Sequence, residues 1–582
     1  MQNISHLLEM YADDCTIFLD PTDENLRNTV NILDIFFKIS GLRISVNKTK
    51  AIWFGAGHHF GHKLCPDLPL NWDNKFKLLG IEFDNNLEKM DSNYSTKIEE
   101  ITKLLNCWIY RNVTPYGKIV IIKTLALSKL SHTALVIPSL SNKRVKEIET
   151  LFFKFLWGNK PDKVSRECVK IKEKQGGMGL IDIKDFWMAF KFSWIRRLIK
   201  TDAFWPHILE LNISQIINEE ICIHDILTFG AVKFSTLAKK ILNPFWKEVF
   251  VSVKTVIQGA IYSSREKLIL SPLWDNPGIM RNNKTIPITD FSVLYPKVKS
   301  ISDLFMAGTN IFCSRAEIKD KLGLDIDEET HLELRLIIHR AFAKVGIGIT
   351  NIPSIHLPLQ PLLVNIANQT RNGCSAYYKL IRSWKKSVNV LADREDRWHR
   401  ELGRVYSIPF WSKTYRYVSC IKNDNKIKWM QFQIVRNSQF TNYKVHKFNQ
   451  AVSPLCSYCN EVNELISHLY YRCPIVQNFW KELKLFLSNI GFILSLSENS
   501  VLFGDKKKSP CSTFNVIILW AKYYIWSSKF KSTHPTFTGF KVILEKRLQE
   551  LKELCEFNDG YANRFNEWIQ LYNSLNAGNG ND

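Results

Sequence analysis

Four residues in the C-terminal part of this sequence have types and spacing that point to metal binding. In "CSYCNEVNELISHLYYRCP", Cys456, Cys459, His468 and Cys473 are spaced C-x2-C-x8-H-x4-C. A C-x-x-C turn aims two thiolates at one point, and a His and a Cys four or five residues apart on the next helical turn complete a tetrahedral shell. Three soft sulfurs and one imidazole suit Zn2+ better than Mg2+ or Ca2+. Four protein ligands leave no position for a substrate, so a zinc site here is structural; the alternative is a chance cluster of buried thiols. Tyr470, Tyr471 and Arg472 sit between the last two ligands, either to stack on bases and meet phosphates or to fill the core.

A second chemistry is suggested near the start. "LLEMYADDCTIFLD" sets two adjacent acids, Asp13 and Asp14, between apolar runs at 4–10 and 15–19, each long enough for a strand, so the pair reads as a hairpin tip. Adjacent carboxylates raise each other's pKa unless a cation lies between them. The pair is therefore a solvated turn, which Asp favours, or a metal site awaiting a partner carboxylate. Other signals are weaker. His58, His59 and His62 lie in a Gly-rich loop that reads as solvent-exposed, and "GGMGL" (176–180) and "GIG" (346–348) lack the residues of a phosphate loop or dinucleotide fingerprint and read as turns.

The elements that must position these residues follow from periodicity. "PTDENLRNTVNILDIFFKISG" predicts a helix: Leu26, Val30, Leu33 and Phe37 share a face, Asp23 and Glu24 fall in the first turn, and Gly41 stops it. "LRISVNKTKAIWF" alternates, turns at 47–49 and resumes over 50–54, and "FKLLGIEF" predicts a hairpin around Gly80. From about residue 91 the pattern is helical. Thr114 is placed as an N-cap with Pro115 at the first helical position, and on the helix that follows Lys118 and Lys129, three turns apart, share a face with Lys123 well round from them. These lysines form a solvated face or contact phosphates. Residues 201–395 read as helical without internal repeat, and the region from 396 holds Trp-rich helices, the Cys/His cluster and a lysine loop, "GDKKKSP".

Composition narrows the partners. The balance of 78 Lys plus Arg against 56 Asp plus Glu gives a net charge of +22, which points to a polyanion. The longest apolar candidate, "FNVIILWAKYYIW", is shorter than the ~20 residues a spanning helix needs, and the N-terminus has no secretion-signal layout. Nucleic acid is favoured over a membrane. Thirteen scattered cysteines are expected to be reduced, in cytosol or nucleus.

In order and spacing, "YADD" between apolar strands, then a helix, "SGLRISVNKTKAIWF" and "FKLLGIEF", resemble the second half of a reverse transcriptase palm. "YGKIVIIKTLALSKL", "FLWGNK", "KQGGMGLIDIKDFWMAF" and the Cys/His cluster followed by "PIVQNFW" resemble the thumb and C-terminal region of non-LTR retrotransposon reverse transcriptases. The resemblance covers about residues 1–200 and 400–530. It implies a mixed α+β fold: a partial palm sheet with a primer-grip turn (1–90), a helical thumb (91–200), a helical connecting region (201–395) and a C-terminal domain with a zinc knuckle (396–582). It implies Asp13 and Asp14 as Mg2+ ligands for two-metal nucleotidyl transfer, Tyr11 at the nucleotide or primer end, Lys48 at the pyrophosphate, and Leu79 and Gly80 gripping the primer. The implied partners are an RNA template and a DNA primer or target, and the implied setting is a ribonucleoprotein in nucleus and cytoplasm. The family's further aspartate and its fingers are expected upstream of Met1, so the chain reads as the C-terminal part of a longer polymerase, inactive alone. The alternative is a non-catalytic RNA- or DNA-binding protein that uses the basic thumb and zinc knuckle.

Overall fold

The structure is a computed structural model that describes the chain outside residues 1–7, 12–13, 46, 55–61, 86–89, 262–267, 277, 282–283, 287–293, 295–296, 307–310, 345–360, 369–372, 385–391, 422–423, 494–495, 510–511, 558–567 and 578–582. Two antiparallel strands open it, β1 (Leu8–Tyr11) and β2 (Asp14–Ile17), in a register that sets Tyr11 opposite Asp14. The following helix, α1 (Asp23–Ser40), has the ends its sequence predicts. Thr22 accepts from the amide of Asn25, and Gly41, at φ 75°, closes the last turn by donating to the carbonyl of Phe37. Leu26, Val30, Leu33 and Phe37 form its half-buried face.

The expected single palm sheet is not what the described strands form. β3 (Lys50–Ala51) pairs in parallel with β4 (Asn71–Trp72), and β5 (Lys75–Leu78) pairs antiparallel with β6 (Ile81–Asp84). Each pair is a two-stranded sheet of its own, as β1–β2 is. The hairpin expected across 42–54 is thus corrected: its turn exists, with the amide of Lys48 donating to the carbonyl of Ser45, but residues 42–45 before it form no strand. Leu42 and Ile44 stay exposed there, so the alternation has no apolar surface to bury against. The hairpin around Gly80 does form. Leu79 (φ 46°) and Gly80 (φ 83°) are its two-residue loop, both left-handed, as a type I′ turn requires.

Beyond residue 90 the chain is almost wholly helical, beginning with α2 (Asp91–Ile109) and α3 (Pro115–Ile121), which Thr114 caps by accepting from the amide of Gly117. The single helix expected to carry Lys118, Lys123 and Lys129 is broken. Residues Ile122–Ala126 form a π turn before α4 (Ser128–Val136). Eleven residues are then not three regular turns, and Lys118 and Lys129 do not share a face by α-helical geometry. No single helix among the described residues is long and apolar enough to cross a membrane.

The chain divides into two compact units, one of residues 1–105, 126–150 and 182–386, the other of 106–125, 151–181 and 387–582. Residues 91–200 contribute to both. In the first unit, helices Ile183–Lys200, Ala231–Lys240, Pro244–Ile261 and Gly373–Trp384 supply a core around the fully buried Phe192, Phe234, Phe250 and Tyr377. Lys191 is buried there because it answers the carbonyls left over at the end of α4, donating to Ala134 at 2.9 Å and Ile137 at 2.5 Å, with Glu248 3.8 Å away. In the second unit large aromatic side chains join an aliphatic core. Trp398, Phe479 and Phe503 are fully buried, and the indole N–H of Trp398 donates to the carbonyl of Val435. The "GGMGL" segment is the expected turn, and it demands glycine: a Cβ on Gly177 would lie 2.1 Å from the carbonyl oxygen of Ile171. The neighbouring carbonyl of Gly176 accepts from the buried guanidinium of Arg436 at 2.7 Å.

Candidate metal centre

The Cys/His cluster assembles as its spacing predicts. The donor atoms of Cys456, Cys459, His468 and Cys473 all lie within 4.8 Å of one another, and all but Cys459 are buried. With Zn–S bonds near 2.3 Å, two sulfurs on a tetrahedral zinc sit ~3.8 Å apart. The sulfurs of Cys456 and Cys473 are separated by 3.9 Å, and Cys459 Sγ is 3.3 Å from His468 Nε2. The donor set and its spacing fit Zn2+.

Each ligand is aimed by a local device. The first two sit on a tight turn in which the amide of Cys456 donates to Val462, the amide of Asn460 donates back to the Cys456 carbonyl, and Tyr458 N–H points at Cys456 Sγ at 3.4 Å. Asn460 turns the chain with φ 56°. The other two are joined by a π turn, His468–Arg472, closed by Cys473 N–H on the His468 carbonyl at 2.9 Å. In an α-helix, residues five apart point about 140° away from each other; the wider π turn brings positions i and i+5 to one side. Cys473 then caps the helix Pro474–Asn489, whose first amides stabilise a thiolate.

The electrostatics describe a set of donors competing for protons. Cys456 donates to Cys473, and this bond, with burial, pushes its thiol up to about 12. The same bond, aided by the amides of Val476 and Ile475, holds Cys473 below the ordinary thiol value. His468 is raised by its hydrogen bond with Cys456. A dication replaces the protons these groups share.

Two carboxylates that sequence reasoning did not single out hold the loop in place. Glu464 is fully buried and accepts from the amide of Ser457 at 3.0 Å, its hydroxyl at 2.8 Å and the amide of Asn442 at 2.8 Å, while pairing with Lys529. Glu401 accepts from the amide of Ser467 at 2.9 Å and from the side chain of Asn437 at 2.7 Å. One acid thus fixes the residue after Cys456 and the other the residue before His468. In the sequence Glu464 resembles the exposed Glu461, and nothing local separates them.

The remaining candidate residues are placed as follows. Asp13 lies outside the described residues, as do His58 and His59, while His62 is exposed. Asp14 and Tyr11 face each other across the tip of β1–β2 and both are exposed; Lys48 is exposed in its turn, and Leu79 and Gly80 cap the separate β5–β6 hairpin. Among the described residues, the Cys/His cluster is the only group of three or more His, Cys, Asp or Glu arranged to share an ion. Of the thumb lysines, Lys118 is buried and donates to the Phe155 carbonyl at 3.0 Å, so the outward-facing reading is corrected at this position: the helix that carries Phe155 packs over it. Lys123 is half-buried, and burial lowers its amine. Lys129 pairs with Glu100 at 3.0 Å. Tyr470 is core, Tyr471 is half-buried, and Arg472 pairs with Glu498.

Residues 408–480 match a family model described as zinc-binding in reverse transcriptase. The match encloses all four ligands and the helices that precede the loop, Ile408–Ser419, Asn425–Val435 and Asn442–His446. It supports a reverse-transcriptase-related protein and structural Zn2+ at Cys456, Cys459, His468 and Cys473.

Proposed function

We propose that the chain is part of an RNA-directed DNA polymerase of the non-LTR retrotransposon type, in which the zinc-stapled module and the basic helical surface hold RNA template and DNA primer or target. The observation that carries this reading is the four-ligand cluster inside the region matched to the reverse transcriptase zinc-binding model. In the proposed chemistry Asp13 and Asp14 hold Mg2+ at the primer end, Tyr11 touches the nucleotide, Lys48 neutralises pyrophosphate, and Leu79 and Gly80 grip the primer. Zinc does no chemistry. It fixes a loop whose small hydrophobic core would not hold it alone.

A second reading is favoured by one observation: Asp14 stands exposed on a two-stranded sheet, with no further carboxylate grouped with it among the described residues. Two Mg2+ ions need more oxygen ligands than one acidic pair supplies. In this reading the chain binds nucleic acid without polymerising. Primer extension on an RNA template by the chain fused to the fingers and first palm strands of a reverse transcriptase, with and without Asp13→Asn, separates the two. Extension that Asp13→Asn abolishes supports the polymerase; salt-sensitive binding without extension supports the binding protein; absence of nucleic-acid affinity at low salt overturns both.

A further inference from the structure

We infer that single-stranded nucleic acid stacks on an aromatic face beside the zinc loop, built from Phe440, Tyr443, Lys447 and Phe448. The inference rests on the nucleic-acid reading above and deepens it by assigning a surface. Residues 470–472, the sequence-based candidates for stacking, are largely engaged: Tyr470 is buried and Arg472 is paired with Glu498. The neighbouring segment has the opposite arrangement. Its polar side chains turn inward, with Asn442 donating to the Leu455 carbonyl at 2.8 Å, Lys444 to the Asn437 carbonyl at 2.7 Å, and His446 Nδ1 2.8 Å from the Val452 carbonyl. Its large apolar rings turn outward. Phe440 is 50% exposed and Phe448 67% exposed.

These rings are held, not loose. They meet edge to face, with centroids 5.9 Å apart, so the pair leaves a ring face free to receive a base. The ammonium of Lys447 lies 4.6 Å from the Tyr443 ring centre, a cation placed beside the rings. The backbone beneath is fixed through Asn442 N–H on Glu464, the same carboxylate that steadies the zinc loop. Lys529 completes that carboxylate's ion pair, and the next residue, Phe530, is 70% exposed. Exposed rings alone fit an apolar protein partner equally well. Charge decides: between Asp424 and Glu461 the sequence has no Asp or Glu, and the exposed Lys447 stands on the Tyr443 ring in a chain of net charge +22. An aromatic platform with an exposed cation, whose neighbouring carboxylate Glu464 is buried and paired with Lys529, suits a polyanion with flat bases.

The test uses the zinc-loaded full chain and a fluorescein-labelled oligo(dT) of about 20 nucleotides, longer than the ~4–16 nucleotides a single-strand groove covers. Phe448→Ala and Phe440→Ala are expected to raise Kd about ten-fold each, the loss of one stacked base, while Phe448→Trp preserves it. Lys447→Gln is expected to reduce the salt dependence by about one phosphate contact. Zinc content and melting temperature stay unchanged in all four variants, because the substituted side chains lie on the surface. Binding that persists unaltered in both alanine variants, or that prefers the duplex, overturns this inference alone. A wild-type chain that binds neither strand overturns the nucleic-acid reading with it.

Discussion

At the scale of single residues, one buried and one half-buried charge lend themselves to measurement. Glu464 touches no metal, yet it fixes both the zinc turn and the amide of Asn442. Partners of this kind tune affinity by holding ligands in their binding orientation. Glu464→Gln is expected to weaken zinc binding about 10- to 100-fold, read by competition with a chromophoric chelator, whereas Glu461→Gln at the exposed neighbour changes nothing. Lys506 offers a pH test. Burial holds its amine down at about 7 against an ordinary 10.5, with the Phe410 ring centre 5.0 Å away. Between those values the unfolded chain carries a proton that the folded chain does not, so folding gains stability as pH rises from 7 towards 10. Other groups titrate over the same range, and comparison with Lys506→Met removes them. The melting temperature of the transition of the unit that holds Lys506, residues 387–582 among them, is expected to rise in wild type relative to Lys506→Met across this window; a constant gap would refute the assignment.

At the scale of elements, two π turns act in opposite ways on what the sequence foretells. In His468–Arg472 the extra residue is what lets His468 and Cys473 point at one centre, so the x4 spacing and the observed turn agree. In Ile122–Ala126 the same device breaks the face that Lys118 and Lys129 were expected to share. The glycine turn at 176–179 supplies an element-scale prediction. Gly177→Ala forces a methyl against the Ile171 and Cys168 carbonyls, backbone atoms that cannot rotate away. Destabilisation of about 1–3 kcal/mol, the usual range for overpacking, is expected in urea unfolding of the variant.

At the scale of the whole molecule, two compact units with separate cores imply two transitions, so a single melting temperature does not describe the chain. The zinc ligands all belong to the unit that includes residues 387–582. Removing zinc by chelation is expected to lower one calorimetric transition and leave the other in place, and Cys473→Ser is expected to mimic chelation. In the other unit, Phe192 is fully buried against Tyr377, with ring centres 4.9 Å apart. Phe192→Ala should cost that unit about 3–5 kcal/mol and move only the transition that chelation spares.

The sequence by itself determined what depends on neighbours along the chain. Ligand spacing announced the zinc cluster, Asp23, Glu24 and Gly41 announced the ends of α1, and the residues around Gly80 announced a hairpin, because helix ends, tight turns and chelating loops are built from residues a few positions apart. Only tertiary structure decided which strands pair, as β3 with β4 in parallel instead of within a local hairpin, and which charges are buried. Glu464 and Glu461 are alike on paper, and Lys118 looks like any helix lysine, yet one of each is enclosed by segments distant in sequence. Burial is a property of what packs over a residue, and three residues of local context do not specify it.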